Sequence, residues 1–127
     1  MTRISIHPDC GHSPKKEFLK NFNIAFATGD ADFLINSVSD DIHWIIYGDK
    51  EIQGKEAFRN EMNIMKDYTA DELQIHHILT HGKEAAISGE MKMGNRTYAF
   101  CDLYEFTSAG SQEIRGMKTY IIKTGDL

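Results

Sequence analysis

The stretch YAFCDLYEF, residues 98–106, places a carboxyl group among aromatic side chains. Because successive side chains of a strand point to opposite faces, every second residue of the stretch shares a face. That face carries Tyr98, Phe100, Asp102, Tyr104 and Phe106. Apolar surroundings raise the pKa of a carboxyl group, which can then donate or shuttle a proton near neutral pH. One interpretation of this pattern is therefore that Asp102 is an acid–base group in a pocket.

Asp102 also has a structural interpretation. A hydrogen bond to a tyrosine, to His43 or to a backbone amide would let the carboxyl tie a helix to the sheet. Tyr98 and Tyr104 flank Asp102, and a buried tyrosine hydroxyl needs a partner that the carboxyl would provide. In the catalytic interpretation, Tyr104, Tyr98 or His43 would stabilise an enolate that develops in the substrate.

A second strand-like stretch, DIHWIIYG, carries a histidine that is a candidate general base. Its side chains alternate, so Trp44 lies on one face and His43 and Tyr47 lie on the other. Only one of these faces can line a pocket, and the sequence does not decide which. Facing a cavity, His43 would titrate near neutral pH as a general base. Otherwise it would be a structural or surface residue. Trp44 is predicted to form a wall of the pocket or of the core.

The segment HPDCGH contains side chains of the types that bind zinc, but its spacing matches no paired Cys/His site. These side chains are His7, Asp9, Cys10 and His12. The adjacent His76 and His77 point to opposite faces of a predicted strand and cannot chelate one ion together. We therefore predict neither a metal ion nor another cofactor.

The composition is typical of one globular domain, since the chain has 127 residues of which 41% are hydrophobic. A net charge of −5 with scattered lysines and arginines argues against a nucleic-acid partner. The apolar runs are far shorter than the ~20 residues that span a membrane, so no membrane partner is expected. Cys10 and Cys101 indicate no disulfide framework, which favours a reducing, cytoplasmic location.

Residues 1–12 are predicted to be a loose N-terminal arm, and residues 13–127 one domain. Helix-start signals place three helices in the first half of this domain, after Ser13, Asp30 and Gly54. Strand-like segments follow, with short separators that contain glycine and are typical of hairpins. These segments are ELQIHHILTH, EAAISGEMKM, RTYAFCDLYEF and EIRGMKTYIIK. The element order α-α-β-α-β-β-β-β predicts an α+β fold with helices on one face of a sheet.

This order resembles the nuclear transport factor 2-like fold of ketosteroid isomerases, SnoaL-type polyketide cyclases and limonene epoxide hydrolases. FATGDADFLINSVSDDIHW is similar to the family's first two helices and the acidic turn into its first strand. GKEAFRNEM is similar to the opening of its third helix, and CDLYEF with EIRGMKTY to its last two strands. The resemblance implies a cone: a curved antiparallel or mixed sheet wrapped around three N-terminal helices, with an apolar pocket open at one end.

The resemblance also implies roles for single residues. Asp102 falls where ketosteroid isomerases keep a protonated aspartate that donates a hydrogen bond to the enolate, and SnoaL-type cyclases similarly have an acid–base aspartate on this sheet. The isomerases' oxyanion tyrosine falls on Phe22, and their general base on Ile45 or Ile46, which argues against steroid isomerase activity. Limonene epoxide hydrolases need an Asp-Arg-Asp arrangement, of which Arg115 and Asp102 would supply two parts.

The function that these residues favour is an enzyme that acts on a small hydrophobic carbonyl compound, as an isomerase, a cyclase or a hydrolase-like lyase without a metal. Asp102, His43 and Tyr104 are the predicted catalytic residues. The predicted ligand contacts are Phe22, Trp44, Tyr47, Phe58, Met62, Tyr98, Phe100 and Met117. Methionines suit such a pocket because thioethers adapt to varied ligands. A non-catalytic binding domain, in which Asp102 only orients the ligand, is an alternative.

The face of the sheet opposite the predicted pocket leads to a third alternative, a protein-interaction module. It would carry Ala99, Cys101 and Leu103 on one strand and Lys118, Tyr120 and Ile122 on the next. In the resembling fold this surface commonly packs against a second subunit. We therefore expect a homodimer with a two-fold interface.

Overall fold

Three helices pack against one face of a mixed sheet in the computed structural model of the protein, which describes residues 1–126. In chain order the elements are β1 (Arg3–Ile6), α1 (Pro14–Thr28), α2 (Ala31–Asn36), β2 (Val38–Ile46), β3 (Lys50–Gln53), α3 (Lys55–Met65), β4 (Glu72–His81), β5 (Glu84–Met93), β6 (Arg96–Phe106) and β7 (Ile114–Asp126). The predicted fold class, α+β with a mixed sheet around three helices, is confirmed.

The seven strands form one sheet in the order β1-β4-β5-β6-β7-β2-β3. Strands β4 to β7 form an antiparallel meander, as their short separators predict. Strand β2 joins this meander by pairing parallel to β7, which sets Trp44 beside Met117. This parallel pairing brings the first half of the chain onto the sheet that carries Asp102.

The sequence does not predict the two edge strands. Strand β1 pairs parallel with β4, from Arg3 beside Glu72 to Ile6 beside Ile75. Residues 3–6 are therefore not loose, and the prediction of a loose arm is corrected for this part of it. Strand β3 pairs antiparallel with β2. Both edge strands have four residues, too few for alternation to identify them, and pairing with a neighbouring strand is what orders them.

The three predicted helix starts are confirmed, and two of them have side-chain caps. The Ser13 side chain accepts a hydrogen bond from the Lys16 amide at 3.2 Å, and Asp30 Oδ1 accepts one from the Phe33 amide at 3.2 Å. Gly29 ends α1 in the left-handed conformation, with φ of 80°. No helix in residues 1–126 is long and apolar enough to cross a membrane.

We call the face of the sheet that packs on the helices the inner face and the opposite one the outer face. Phe22 of α1, Phe58 and Met62 of α3 and Phe106 of β6 are at most 1% exposed in this interior. Aromatic rings connect its layers, with centroids 5.3 Å apart for Phe22 and Phe26, 5.6 Å for Phe26 and Trp44, 5.9 Å for Trp44 and Phe58 and 6.1 Å for Phe22 and Tyr104. These rings fill the space between the helices and the inner face.

Strands β4 and β5 approach closely at Gly89. Their register shifts between Ile75 and His77, which marks a bulge in β4. A Cβ added to Gly89 would lie 2.1 Å from the backbone oxygen of Gln74 and 3.1 Å from Cζ of Phe100. Because a backbone atom cannot rotate away, only glycine fits here.

We expect Gly89→Ala to lower the free energy of unfolding by about 1–3 kcal/mol, because the added methyl group forces the bulge apart. Urea denaturation followed by the fluorescence of Trp44, the only tryptophan, measures this. Gly110→Ala is the matched control, since no atom lies within 4 Å of a Cβ added at Gly110. Equal stability of the two variants would contradict the close approach.

Candidate functional site

Asp102 lies in the middle of β6, where it pairs with Ile87 of β5 and Thr119 of β7. Its neighbours on the inner face, Phe100 and Tyr104, are 7% and 3% exposed. The aspartate is partly exposed as a residue, but its Oδ1 atom is sealed from solvent. The structure thus holds an acidic group within the aromatic face, as the alternation in β6 predicts.

The two carboxyl oxygens of Asp102 have different surroundings. Oδ2 accepts a hydrogen bond from the Tyr104 hydroxyl at 3.3 Å. Oδ1 has no hydrogen-bond partner among residues 1–126. The Thr119 hydroxyl interacts with the carboxyl and lowers its pKa. It makes no hydrogen bond to Oδ1. One carboxyl oxygen therefore has a hydrogen-bond partner in the protein, and the other, Oδ1, is buried and has none among residues 1–126.

Burial raises the pKa of Asp102 from 3.8 to about 6, and the Thr119 and Tyr104 hydroxyls lower it by a smaller amount. Burial and the neighbouring charge of Asp102 raise the pKa of Tyr104 well above 10. Tyr104 therefore keeps its proton and remains a donor at any physiological pH. Asp102 changes its protonation state close to neutral pH.

A chain of side-chain hydrogen bonds extends from Asp102 to helix α1. Asn23, 6% exposed, donates from Nδ2 to the Tyr104 hydroxyl oxygen at 3.1 Å and to the Leu19 carbonyl oxygen at 2.9 Å. On the other side, Trp44 Nε1 donates to Thr119 Oγ1 at 2.8 Å. The site therefore joins α1, β2, β6 and β7.

The sequence reasoning missed Asn23 and Thr119 as members of this site. Asn23 interrupts the apolar stripe of α1 directly after Phe22, as Asp102 interrupts an aromatic strand, and this interruption was a usable signal. Thr119 shares the inner face of β7 with Met117, but its position beside Asp102 depends on the pairing register. A register of this kind is not readable from one strand alone.

Two predicted site residues do not reach Asp102. The His43 side chain is 45% exposed on the outer face, and its Nε2 lies 2.7 Å from Glu51 Oε2. Tyr47 is 45% exposed and stacks on Tyr120 of the outer face with ring centroids 4.7 Å apart. Trp44 takes the inner face because its large apolar side chain is the one that packs against the helices. The structure therefore places His43 and Tyr47 on the face away from Asp102, and a catalytic His43 and a ligand contact at Tyr47 stay predictions.

The other predicted ligand contacts lie on the inner side of the sheet. Phe22, Phe58 and Met62 are fully buried, and Trp44 and Met117 are 5% and 4% exposed. We call the partly exposed part of the inner face its open end. It consists of Ile46, Met91, Tyr98 and Ile121, of which Ile121 is 42% exposed.

Concavities of about 380 and 320 Å³ lie mainly against outer-face residues such as Leu103, and Asp102 lines neither. An apolar pocket at Asp102 therefore stays a prediction. Within residues 1–126, no group of three or more histidine, cysteine, aspartate or glutamate side chains is close enough to hold a metal ion. The His7 ring stacks on that of His76, with centroids 5.0 Å apart.

A model of the SnoaL-like domain family matches residues 19–125. The chain belongs to the SnoaL-like domain family. No curated protein matches the chain. Similar solved structures include an NTF-2 like protein of unknown function from Burkholderia xenovorans LB400, with a TM-score of 0.74 and 15% identity over 94% of this chain and 91% of that one. The family resemblance inferred from the sequence is confirmed.

Two further similar structures are of enzymes. The epoxide hydrolase/cyclase-like enzyme SalBIII, which has a role in pyran ring formation in the polyether salinomycin, has a TM-score of 0.73 and 18% identity over 89% of this chain and 95% of that one. An LEH-like epoxide hydrolase from M. tuberculosis has a TM-score of 0.71 and 18% identity over 85% and 82%. At such identities the likeness shows the shared fold.

The raised pKa of Asp102 predicts a pH dependence of stability. Because the folded state holds the proton of Asp102 more tightly than the unfolded chain does, the contribution of Asp102 to stability is fully present below pH 3.8 and is lost as the pH rises through 6. We expect the free energy of unfolding to fall by about 2–3 kcal/mol more in the wild type than in Asp102→Asn between pH 4 and 7. Urea denaturation at each pH, followed by Trp44 fluorescence, measures the difference.

The matched control for this titration is Asp49→Asn, which removes an exposed carboxyl from the turn between β2 and β3. Its stability should follow the wild-type pH dependence. Parallel curves for the wild type and Asp102→Asn would show that Asp102 titrates alike in the folded and unfolded states, contrary to its burial.

Proposed function

We propose that this protein is an enzyme that performs acid–base chemistry on a small hydrophobic carbonyl compound, with Asp102 as the group that transfers the proton. The observation that carries the proposal is the asymmetry of the carboxyl: Oδ2 is held by Tyr104, and buried Oδ1 has no partner among residues 1–126. Buried polar atoms without partners are rare in native proteins because they are costly. A polar atom of a bound substrate is a partner that removes this cost.

The chemistry follows from the two protonation states of Asp102. Ionised, the carboxylate removes a proton from a carbon next to the substrate carbonyl, and the electron pair moves to the carbonyl oxygen as an enolate forms. Neutral Asp102 then returns the proton. It goes to another carbon of the conjugated enolate, which completes an isomerisation, or to the alkoxide that forms when the enolate carbon attacks a second carbonyl of the substrate, which completes a ring closure. A pKa of about 6 makes both states accessible near neutral pH.

The surroundings of Asp102 support a hydrophobic substrate. Phe100, Trp44 and Met117 offer apolar walls, and the open end is the route by which a small molecule would reach the inner face. Because the interior is filled by aromatic rings, entry needs movement of side chains at this end. The Tyr104 hydroxyl stabilises the ionised carboxylate by donating to Oδ2.

Arg115 argues for a carbonyl substrate rather than an epoxide. Its Nε and Nη2 atoms donate to Glu105 Oε1 at 3.1 and 3.0 Å, and its side chain is 40% exposed. The arginine is therefore paired with an outer-face glutamate instead of with Asp102. The similarity to SalBIII and to an epoxide hydrolase shows the shared fold and does not decide the reaction, because this fold hosts unrelated chemistries.

A panel of ketones, lactones and epoxides tests this function. We expect members of the panel to raise the melting temperature of the wild type, and at least one to be converted. Asp102→Asn keeps the size of the side chain but cannot transfer the proton, so conversion should fall by about 10²–10⁴-fold. Mass spectrometry of the products measures conversion, and Asp49→Asn should match the wild type.

The outcomes separate the candidate functions. Thermal shifts without conversion, equal in the wild type and Asp49→Asn and reduced in Asp102→Asn, would indicate a non-catalytic binding domain in which Asp102 orients the ligand. No thermal shift by any compound and no ligand co-purifying in native mass spectrometry would contradict a small-molecule pocket.

A second proposal concerns the outer face, for which we infer a homodimer interface. Exposed apolar side chains are concentrated there, including Ile122 at 68%, Leu79 at 63%, Tyr120 at 44% and Leu103 at 41% exposure. Large exposed apolar patches on soluble proteins mark interaction sites. The Glu105–Arg115 pair at the border of this face places both charge signs there, which suits a two-fold interface between identical copies.

Sedimentation velocity over a range of concentrations tests the dimer. We expect the wild type to be a dimer and Ile122→Lys to dissociate at least about 10-fold more readily, because a lysine would be buried without a partner. Ile64→Lys is the matched control, since Ile64 is 61% exposed on α3 and away from the sheet. A monomeric wild type would rule out this interface.

A further inference from the structure

We propose that Asn23 is a positioning residue that fixes the direction of the Tyr104 hydroxyl, so that the exchangeable proton of Asp102 lies on Oδ1. The geometry that points to this is a one-way chain of hydrogen bonds from α1 to β6: Asn23 to Tyr104, and Tyr104 to Asp102. A catalytic role of this proton rests on the function proposed above, but the direction of the hydrogen bonds does not.

The first step is the orientation of the Asn23 amide. Its Nδ2 atom lies 2.9 Å from the Leu19 carbonyl oxygen, which can only accept a hydrogen bond. The opposite amide orientation would set two acceptor oxygens against each other. The amide nitrogen therefore faces both Leu19 and Tyr104, and its two N–H groups serve these two oxygens.

The second step is the orientation of the Tyr104 hydroxyl. Its oxygen already accepts from Asn23 at 3.1 Å, and its single hydrogen needs an acceptor because Tyr104 is only 3% exposed. The acceptor within reach is Asp102 Oδ2 at 3.3 Å. If Asp102 instead donated a proton from Oδ2, the tyrosine oxygen would receive two bonds and its own buried hydrogen would have none.

The direction of the Tyr104 hydroxyl determines which oxygen of Asp102 carries the proton. Since Oδ2 must accept from Tyr104, a neutral Asp102 carries its proton on Oδ1, the oxygen without a partner among residues 1–126. A ligand carbonyl would accept this proton, and a ligand C–H would give its proton to the same atom. Asn23 thus acts on Asp102 through Tyr104, without touching the reacting atoms.

Loss of Asn23 removes the donor that fixes the direction of the Tyr104 hydroxyl. The tyrosine oxygen no longer accepts from Asn23, so it becomes free to accept a proton from Asp102 Oδ2. Neutral Asp102 can then donate a hydrogen bond to the Tyr104 oxygen, which it cannot do in the wild type. We therefore expect Asn23→Leu to raise the pKa of Asp102.

Carbon-13 NMR titration of the aspartate carboxyl carbons tests the inference, with the Asp102 signal assigned by its absence in Asp102→Asn. Tyr104→Phe should raise the pKa of Asp102 by about 0.5 to 1, the equivalent of one hydrogen bond. Asn23→Leu should raise it in the same direction, and the double variant should match Tyr104→Phe, because Asn23 acts only through the tyrosine. Asn21→Leu, an exposed position on the same helix, should change nothing.

Non-additive increases in the pKa of Asp102 support the proton position. An unchanged pKa in Asn23→Leu, or additive effects of the two substitutions, would overturn it. Asn23→Ala removes the same amide and takes the place of the leucine variant if that variant does not fold. The titration needs no substrate, so it stands even if no compound is converted. If a compound is converted, Asn23→Leu should shift the acidic limb of the pH–rate profile to higher pH. It should also lower kcat while leaving KM unchanged.

Discussion

Burial of the Asp102 carboxyl is the constraint on which the arrangement of this interior depends. Its strand supplies Tyr104, α1 supplies the Asn23 amide that holds the tyrosine, and β7 supplies Thr119, which is itself held by Trp44. The hydrogen bonds from Asn23 and Tyr104 end at Oδ2 of Asp102, and Oδ1 has no partner among residues 1–126. In a low-dielectric interior such a network is strong where it is satisfied and costly where it is not.

Local patterns were enough to predict most of the framework around this group. The alternation in β6 placed Asp102 among aromatic residues, and the cap residues Ser13 and Asp30 placed the helix starts. The meander followed from short separators that contain glycine. Each of these signals depends on a few neighbouring residues, so it can be read from a single sequence. The edge strands β1 and β3 were not predicted, because they form by pairing with a neighbouring strand and their own four residues carry no clear pattern.

The composition of the site was less predictable, because it depends on contacts between distant segments. Strand β2 has apolar residues on both faces, so alternation could not tell whether His43 or Trp44 lies inside. Parallel pairing with β7 resolves this, as it brings the Trp44 indole to Thr119. Asn23 bonds to Tyr104 across 81 positions of the sequence, a contact that no local pattern encodes. Its polarity within an apolar stripe was the one visible sign.

A filled interior and an unpartnered oxygen set opposing conditions for a ligand. Rings such as Phe22 and Trp44 pack the deep part, so space has to come from the open end, where Ile121 and Tyr98 are partly exposed. Side chains there lose fewer contacts when they move. A ligand with a hydrogen bond to Oδ1 would supply the partner that this oxygen lacks in the free protein. Its binding would stabilise the folded state. A small apolar molecule with one hydrogen-bonding oxygen meets both conditions, because a larger or more polar one would need more movement and leave its other polar groups unpaired.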